Sequence, residues 1–157
     1  MSADQIEIVT KVAAAGTGIM GGLLFAFSAC VMRSLGRIAD EPALRAMQHV
    51  NVTIINPPFG LLFFGTAASC IALVVQRVAG SVPVETIGVV GAGAYLVGFL
   101  VMTMVVHVPL NNGLARLDAA AASSGPAWHR YRTRWTALNH VRVVASVAAC
   151  GLLVGSL

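Results

Sequence analysis

The sequence predicts an all-α fold, an integral membrane four-helix bundle, and three observations carry that reading. Apolar residues make up 57% of the chain and charged residues only 10%, whereas soluble domains carry roughly a quarter charged residues. Mean hydropathy is +0.83. Long stretches free of charge run from Val12 to Met32, from Ala46 to Gln76 and from Thr86 up to, but not including, Arg116, and a further apolar run follows His140. About 20 apolar residues suffice to cross a bilayer as a helix. Residues 1–157 are therefore expected to form one transmembrane domain, with spans near 11–34, 56–78, 84–108 and 136–156.

Asp4 and Glu7 precede a single Lys11, the wrong charge for the basic region of a secretory signal peptide, so the first span is expected to be retained. That span holds Gly16, Gly18, Gly21 and Gly22, which formally match G-x-G-x-x-G. A dinucleotide site needs a strand–turn–helix context that this chain lacks. The glycines are better read as a close-packing face, Gly18-x-x-x-Gly22.

Arg33, Arg37, Asp40, Glu41 and Arg45 form the first polar connection, with Pro42 in the first turn of a short helix carrying His49 and Asn51 toward the second span. Asn56-Pro57-Pro58 reads as a helix start, because Asn caps well and proline is tolerated where an amide has no intrahelical partner. The alternative is one longer helix from about Ala43, kinked at the prolines. Gly80-Ser81-Val82-Pro83 predicts a tight connection, and Gly88, Gly91, Ala94 and Gly98 give the third span its own small-residue face. Such Gly-rich faces are also candidate surfaces for a homo-oligomer. Pro109 is expected to end or bend the third helix near His107. Leu114 to Ala122 predicts a short Ala-rich helix on the cytoplasmic side before the last span, and a long fourth helix is expected from about Pro126.

In that fourth helix Trp135, Asn139, Arg142 and Ser146 recur at i, i+4, i+7 and i+11, so they share one face, with His140 about 100° away. Only 15 residues follow Arg142, about 22 Å of helix, which is less than the roughly 30 Å hydrocarbon core. Arg142 is then either an interfacial anchor or a cation turned inward to a polar partner.

The net charge of +4 does not mark a nucleic-acid partner, because the basic residues are sorted by topology. The first and third connections hold Arg33, Arg37, Arg45, Arg116, Arg130, Arg132 and Arg134, against Lys11 and Arg77 on the other side. This asymmetry predicts a multi-pass protein of the cell (plasma) membrane with those connections in the cytoplasm and both termini outside. Cys30, Cys70 and Cys150 lie singly in apolar spans and read as small core residues.

The same topology gathers His49, Asn51, Asn56, His107, Asn111, Asn112, Trp135, Asn139, His140 and Arg142 toward the cytoplasmic leaflet. A one-sided polar set is costly unless its members pair with one another or with a ligand. No carboxylate belongs to it, which argues against carboxylate-bridged metals and paired-carboxylate mechanisms. His49, His107 and His140 are the candidate ligands if a metal such as copper, zinc or iron is held there.

Asn56-Pro57-Pro58-Phe59, Val108-Pro109-Leu110-Asn111 and Trp135…Asn139-His140-Val141-Arg142 with Ser146 resemble the anthrone oxygenase-like family of small four-helix membrane proteins. The resemblance implies an oxidoreductase that oxygenates a lipophilic aromatic of the anthrone type, as in aromatic polyketide pathways. Molecular oxygen would be co-substrate, with no conventional redox cofactor. The family pattern leads to Asn at position 107, where this chain has His. An anthrone needs a base for its benzylic proton and donors for the enolate that results. His140 or His107 is the candidate base. Arg142, Asn111 and Asn139 are candidate oxyanion donors, Trp135 a surface for a flat ring, and Asn56 and His49 further substrate contacts. Two other readings stay open: a binding or transport subunit recognising a lipophilic or anionic ligand without chemistry, and an accessory protein whose polar residues fix helix packing.

Overall fold

The computed structural model describes residues 1–80 and 82–157. Ser81, and with it the middle of the Gly80-Ser81-Val82-Pro83 connection, lies outside the described residues. Four helices are long and apolar enough to cross a membrane: α1 (Ala3–Leu35), α3 (Pro57–Ala79), α4 (Thr86–Ala115) and α5 (Ser124–Val154). A shorter helix, α2 (Asp40–Thr53), lies between the first two. Among the described residues the secondary structure is helical throughout, with no strand.

Local chemistry sets several of the boundaries. Ser2 and Gln5 form a reciprocal capping box at the start of α1. At α3 the Asn56 side chain accepts from the Phe59 amide at 3.0 Å and donates to the Thr53 carbonyl at 3.0 Å, with Pro57 at the first helical position. The chain therefore breaks between α2 and α3 and does not continue as one kinked helix. Gln48 on α2 donates to the Leu114 and Leu117 carbonyls, both at 3.0 Å, and so covers the C-terminal end of α4.

Two expectations are corrected in this region. Pro109 does not end the third helix, because α4 widens to π-helical geometry over Leu96–Val101 and Thr103–His107 and then runs through the proline to Ala115. The Val108 amide bonds the Thr103 carbonyl, five residues back, so the ladder is already out of α register where the proline enters. The Ala-rich stretch Leu114 to Ala122 is not a helix; after α4 it becomes a series of turns. Asp118 accounts for this. Its carboxylate accepts from the Ala120 amide and its carbonyl from the Ser124 hydroxyl, local bonds that compete with a helix.

The four spans pack in a ring, α1 against α3 and α5, and α4 against the same two. The Met1 amino group donates to Gln76 of α3 at 3.2 Å, and Ala3, Val84, Glu85 and Ser156 line one small cavity, so both termini share one end with the α3–α4 connection. α3, with 23 residues, spans about 35 Å, while α1, α4 and α5, with 30 to 33 residues, span roughly 45–50 Å. Their excess length lies at the opposite, arginine-rich end, where α2 packs.

The ring encloses two cores. One lies along the spans and includes Met20, Phe63, Tyr95, Phe99 and Leu153, with Tyr95 stacked on Phe99 at 4.6 Å. The other lies at the arginine-rich end and includes Met32, Leu44, Met47, Leu114, Trp128 and Trp135. Large apolar side chains such as Phe25, Leu61, Phe64, Val97, Val105 and Val144 face outward, as a lipid-facing surface requires.

Because lipid is as apolar as leucine, close packing holds such helices together more than hydrophobicity does. Glycine supplies the proximity. A β-carbon at Gly98 would overlap that of Ala145, and one at Gly91 would come within 3.0 Å of Leu152. On α1 the contacts with α5 are made by Gly18 and Gly21, and Gly16 faces Thr66 on α3, whereas nothing lies within 4 Å of a β-carbon at Gly22. The expected Gly18/Gly22 pair is thus a Gly18/Gly21 contact. Gly16, Gly18, Gly21, Gly91 and Gly98 thus make contacts within the bundle.

Candidate functional site

The stripe predicted on the last helix is fully inward. Trp135, Asn139, Arg142 and Ser146 are all buried, and Asn139 and Ser146 have no exposed surface. Arg142, 5% exposed, does not snorkel to a helix end. Its Nη2 donates to Asn139 Oδ1 at 2.6 Å and its Nη1 to Thr103 Oγ1 at 3.2 Å, and its guanidinium carbon lies 5.4 Å from the Trp135 ring centroid. Asn139 passes the connection on, donating to the Leu24 carbonyl at 2.8 Å and to Ser28 Oγ at 2.7 Å on α1. A single polar chain therefore links α1, α5 and α4. No carboxylate pairs with Arg142 among the described residues, so the charge is held by neutral acceptors and a π face.

His107 is buried beside this chain, its ring edge-on to Trp135 at 5.5 Å. Its Nδ1 lies 3.4 Å from the Met102 carbonyl. A carbonyl can only accept, so in the tautomer protonated at Nδ1 this nitrogen donates to Met102 and Nε2 is an acceptor. One turn before Trp135, the Tyr131 hydroxyl donates to Asn111 Oδ1 at 2.9 Å.

Among the described residues four buried polar atoms on this cluster have no hydrogen-bond partner: His107 Nε2, Trp135 Nε1, Arg142 Nε and Ser146 Oγ. Buried polar groups are nearly always satisfied, so four together on neighbouring side chains single this cluster out as the candidate site. Two are N–H donors and one is an imidazole nitrogen.

The remaining candidates fall elsewhere. His140 is exposed on the far side of α5, as its position about 100° from the stripe requires. It lines a cavity of about 920 Å³ between the end of α1 and the start of α5, which is lined by Ser28 but not by Arg142 or His107. His49 is exposed on α2, and Asn56 is exposed and serves as the cap of α3. His49, His107 and His140 do not converge, and among the described residues no three His, Cys, Asp or Glu side chains could hold a metal ion. Asn111 is half-buried and also lines a cavity of about 440 Å³ with Gln48, Asn51 and Val108.

Ser28 and Thr103 were not among the sequence-derived candidates. Isolated hydroxyls in apolar helices usually bond their own backbone, as Thr103 also does to Phe99 at 2.6 Å, and only the facing helix shows which of them serve a second partner.

The family model for anthrone oxygenase matches residues 59–152. The chain belongs to the anthrone oxygenase family. No match was found to a curated protein or to a solved structure. The part shared with the anthrone oxygenase model includes nearly all of α3, the whole of α4 and nearly all of α5, and so includes Thr103, His107, Asn111, Trp135, Asn139, Arg142 and Ser146. Ser28 and the Leu24 carbonyl lie outside it, on α1. Membership in the anthrone oxygenase family together with the four apolar spans supports an oxygenase-like role in a membrane.

Proposed function

We propose that the buried cluster of His107, Trp135 and Arg142 oxygenates a lipophilic aromatic carbonyl compound of the anthrone type, with molecular oxygen as co-substrate. The observation that carries this reading is the set of unpartnered atoms. His107, in the tautomer whose Nδ1 donates to the Met102 carbonyl, supplies Nε2 as a base for the benzylic C–H. Arg142 Nε and Trp135 Nε1 supply two N–H donors for the enolate oxygen, and donors fixed in a water-poor site stabilise a developing oxyanion strongly. The electron-rich carbanion then reacts with oxygen: the CH₂ carbon gains a C–O bond, loses its second proton, and becomes a carbonyl as water leaves. CH₂ and O₂ are thereby converted to C=O and H₂O. Asn139 and Thr103 position the guanidinium, and Asn111, through Tyr131, lies along the same wall.

The excess of arginine at one end supports a cytoplasmic placement of that end, with both termini outside. A cysteine introduced within 117–123 should then resist a membrane-impermeant label added from outside, and ready labelling would reverse the orientation.

The activity is tested by oxygen uptake with a model anthrone. His107→Ala should lower turnover by about 100-fold to 10,000-fold, the usual cost of losing a base, while His140→Ala stays near wild type. Arg142→Lys should also fail, since lysine keeps the charge but not the planar fork of donors. Loss of uptake in His140→Ala with His107→Ala unaffected would move the chemistry to the α1–α5 cavity, and a wild-type protein without uptake would favour ligand binding without chemistry.

A further inference from the structure

We infer that the cavity between the end of α1 and the start of α5 is a binding site for an anionic phospholipid, which seats its phosphate on Arg33, Arg37 and Arg132. Its walls are two facing helix stripes, one on α1 around Phe25, Ala29, Met32 and Arg33, the other on α5 from Arg132 through Thr136 to His140. The volume, about 920 Å³, admits a headgroup and the upper part of an acyl chain rather than a single small anion.

Chemistry divides along its length. The arginines occupy one end, at and just beyond the last turn of α1 and in the early turns of α5, while Phe25, Ala29 and Ala137, with Ser28 and His140 beside them, occupy the other. Phe25 is 60% exposed, as expected of a ring lying against a lipid tail. None of the three arginines forms an ion pair among the described residues, whose salt bridges are Lys11–Glu7, Arg45–Glu41 and His129–Asp40. The Arg132 guanidinium lies where a β-carbon at Gly36 would be, so glycine at that position makes room for it. Three unpaired guanidiniums above an apolar wall, at the end of the bundle where the arginines gather, complement a phosphodiester attached to a hydrocarbon chain. A soluble phosphate would leave the apolar half without a function. The cavity meets the polar chain of Arg142 and Asn139 at Ser28, but it is not lined by His107, Trp135 or Arg142 and the proposal does not depend on their chemistry.

The test uses the full chain purified in neutral detergent, with native mass spectrometry and thermal unfolding in the presence of phosphatidylglycerol, phosphatidylcholine or inorganic phosphate. Phosphatidylglycerol should be retained and should raise the unfolding temperature, with phosphatidylcholine and inorganic phosphate far weaker. At about 1 kcal/mol per basic residue near an anionic surface, each Arg→Gln change should weaken binding roughly 5-fold, and R33Q/R37Q/R132Q together about 100-fold. R33K/R37K/R132K should keep most of the preference, because lysine still pairs with phosphate. G36L, which fills the space Arg132 occupies, provides a second disruption that leaves every charge in place and should weaken phosphatidylglycerol binding as the loss of Arg132 does. Equal binding of the two lipids by wild type, or an undiminished preference in the triple glutamine variant, overturns the proposal. So does inorganic phosphate matching phosphatidylglycerol, which would make this a site for a free anion. Should the triple variant not fold, undiminished preference in both R132Q and G36L overturns it equally.

Discussion

Replacing Asn139 with leucine removes the junction of the buried polar chain without leaving a large hole, and its cost can be worked from the three bonds it breaks. The bond from Arg142 Nη2, 2.6 Å, involves a charge and is worth about 1.5–3 kcal/mol. The bonds to Ser28 Oγ at 2.7 Å and to the Leu24 carbonyl at 2.8 Å join neutral groups across helices, for which about 0.6 kcal/mol each is representative in membrane proteins. The sum is roughly 3–4 kcal/mol. The Leu24 carbonyl keeps the Phe27 amide and Arg142 keeps Thr103, so neither group is fully stripped. For a chain of this size about 2–4 °C of unfolding temperature accompanies each kcal/mol, and Asn139→Leu should unfold roughly 6–16 °C below wild type in detergent. His140→Leu, one position away and exposed, should change little. The decisive measurement is the double-mutant cycle with Arg142→Met. Removing both partners leaves no unpaired charge, so the double variant should be more stable than the sum of the single losses predicts by about 1–3 kcal/mol. Additivity within about 0.5 kcal/mol, or an Asn139→Leu shift no larger than that of His140→Leu, would refute the idea that Arg142 is held by Asn139.

Trp135→Phe deletes the unpartnered indole N–H and keeps an aromatic ring beside His107; anthrone-dependent oxygen uptake should fall by about 100-fold to 1,000-fold, as for loss of one oxyanion donor, with the unfolding temperature shifted by only a few degrees. Gly98→Ala should cost about 1–3 kcal/mol by overpacking against Ala145, measured by thermal unfolding, and the exchange Gly98→Ala/Ala145→Gly should recover much of that loss. Gly22→Ala, with open space around the new methyl, should be neutral or stabilise by up to about 1 kcal/mol.

How far the sequence leads depends on whether the deciding interaction is local. Trp135, Asn139, Arg142 and Ser146 were legible as one face because helical periodicity alone places them together; that the face turns inward follows only from the helices packed against it. The same geometry puts His140 outside. The cap at Asn56 was legible as a cap because its partner, the Phe59 amide, is three residues away. The course of α4 beyond Pro109 was not, because a proline signal says where an α-helical ladder fails and not that a π-helical one continues. Nor was the turn at Asp118, where two short-range bonds outweigh the helix propensity of four alanines. Ser28 and the Leu24 carbonyl are partners of Asn139 from over a hundred residues away, and no local pattern announces them.

The widened turns of α4 bear on how this protein can vary. A π-helical turn amounts to one residue inserted into an α-helix, and α4 has two such regions in succession ahead of the proline. Deleting a single residue inside one of them lets that turn return to α-helical winding, and because a widened turn holds roughly one extra residue for the same sweep, His107 and Asn111 keep their facing toward Trp135 and Tyr131. The same deletion in a regularly wound part of α4 has no widened turn to absorb it, and it rotates everything beyond by about 100°. Between Leu96 and His107, then, chain length has a tolerance that the rest of the helix lacks.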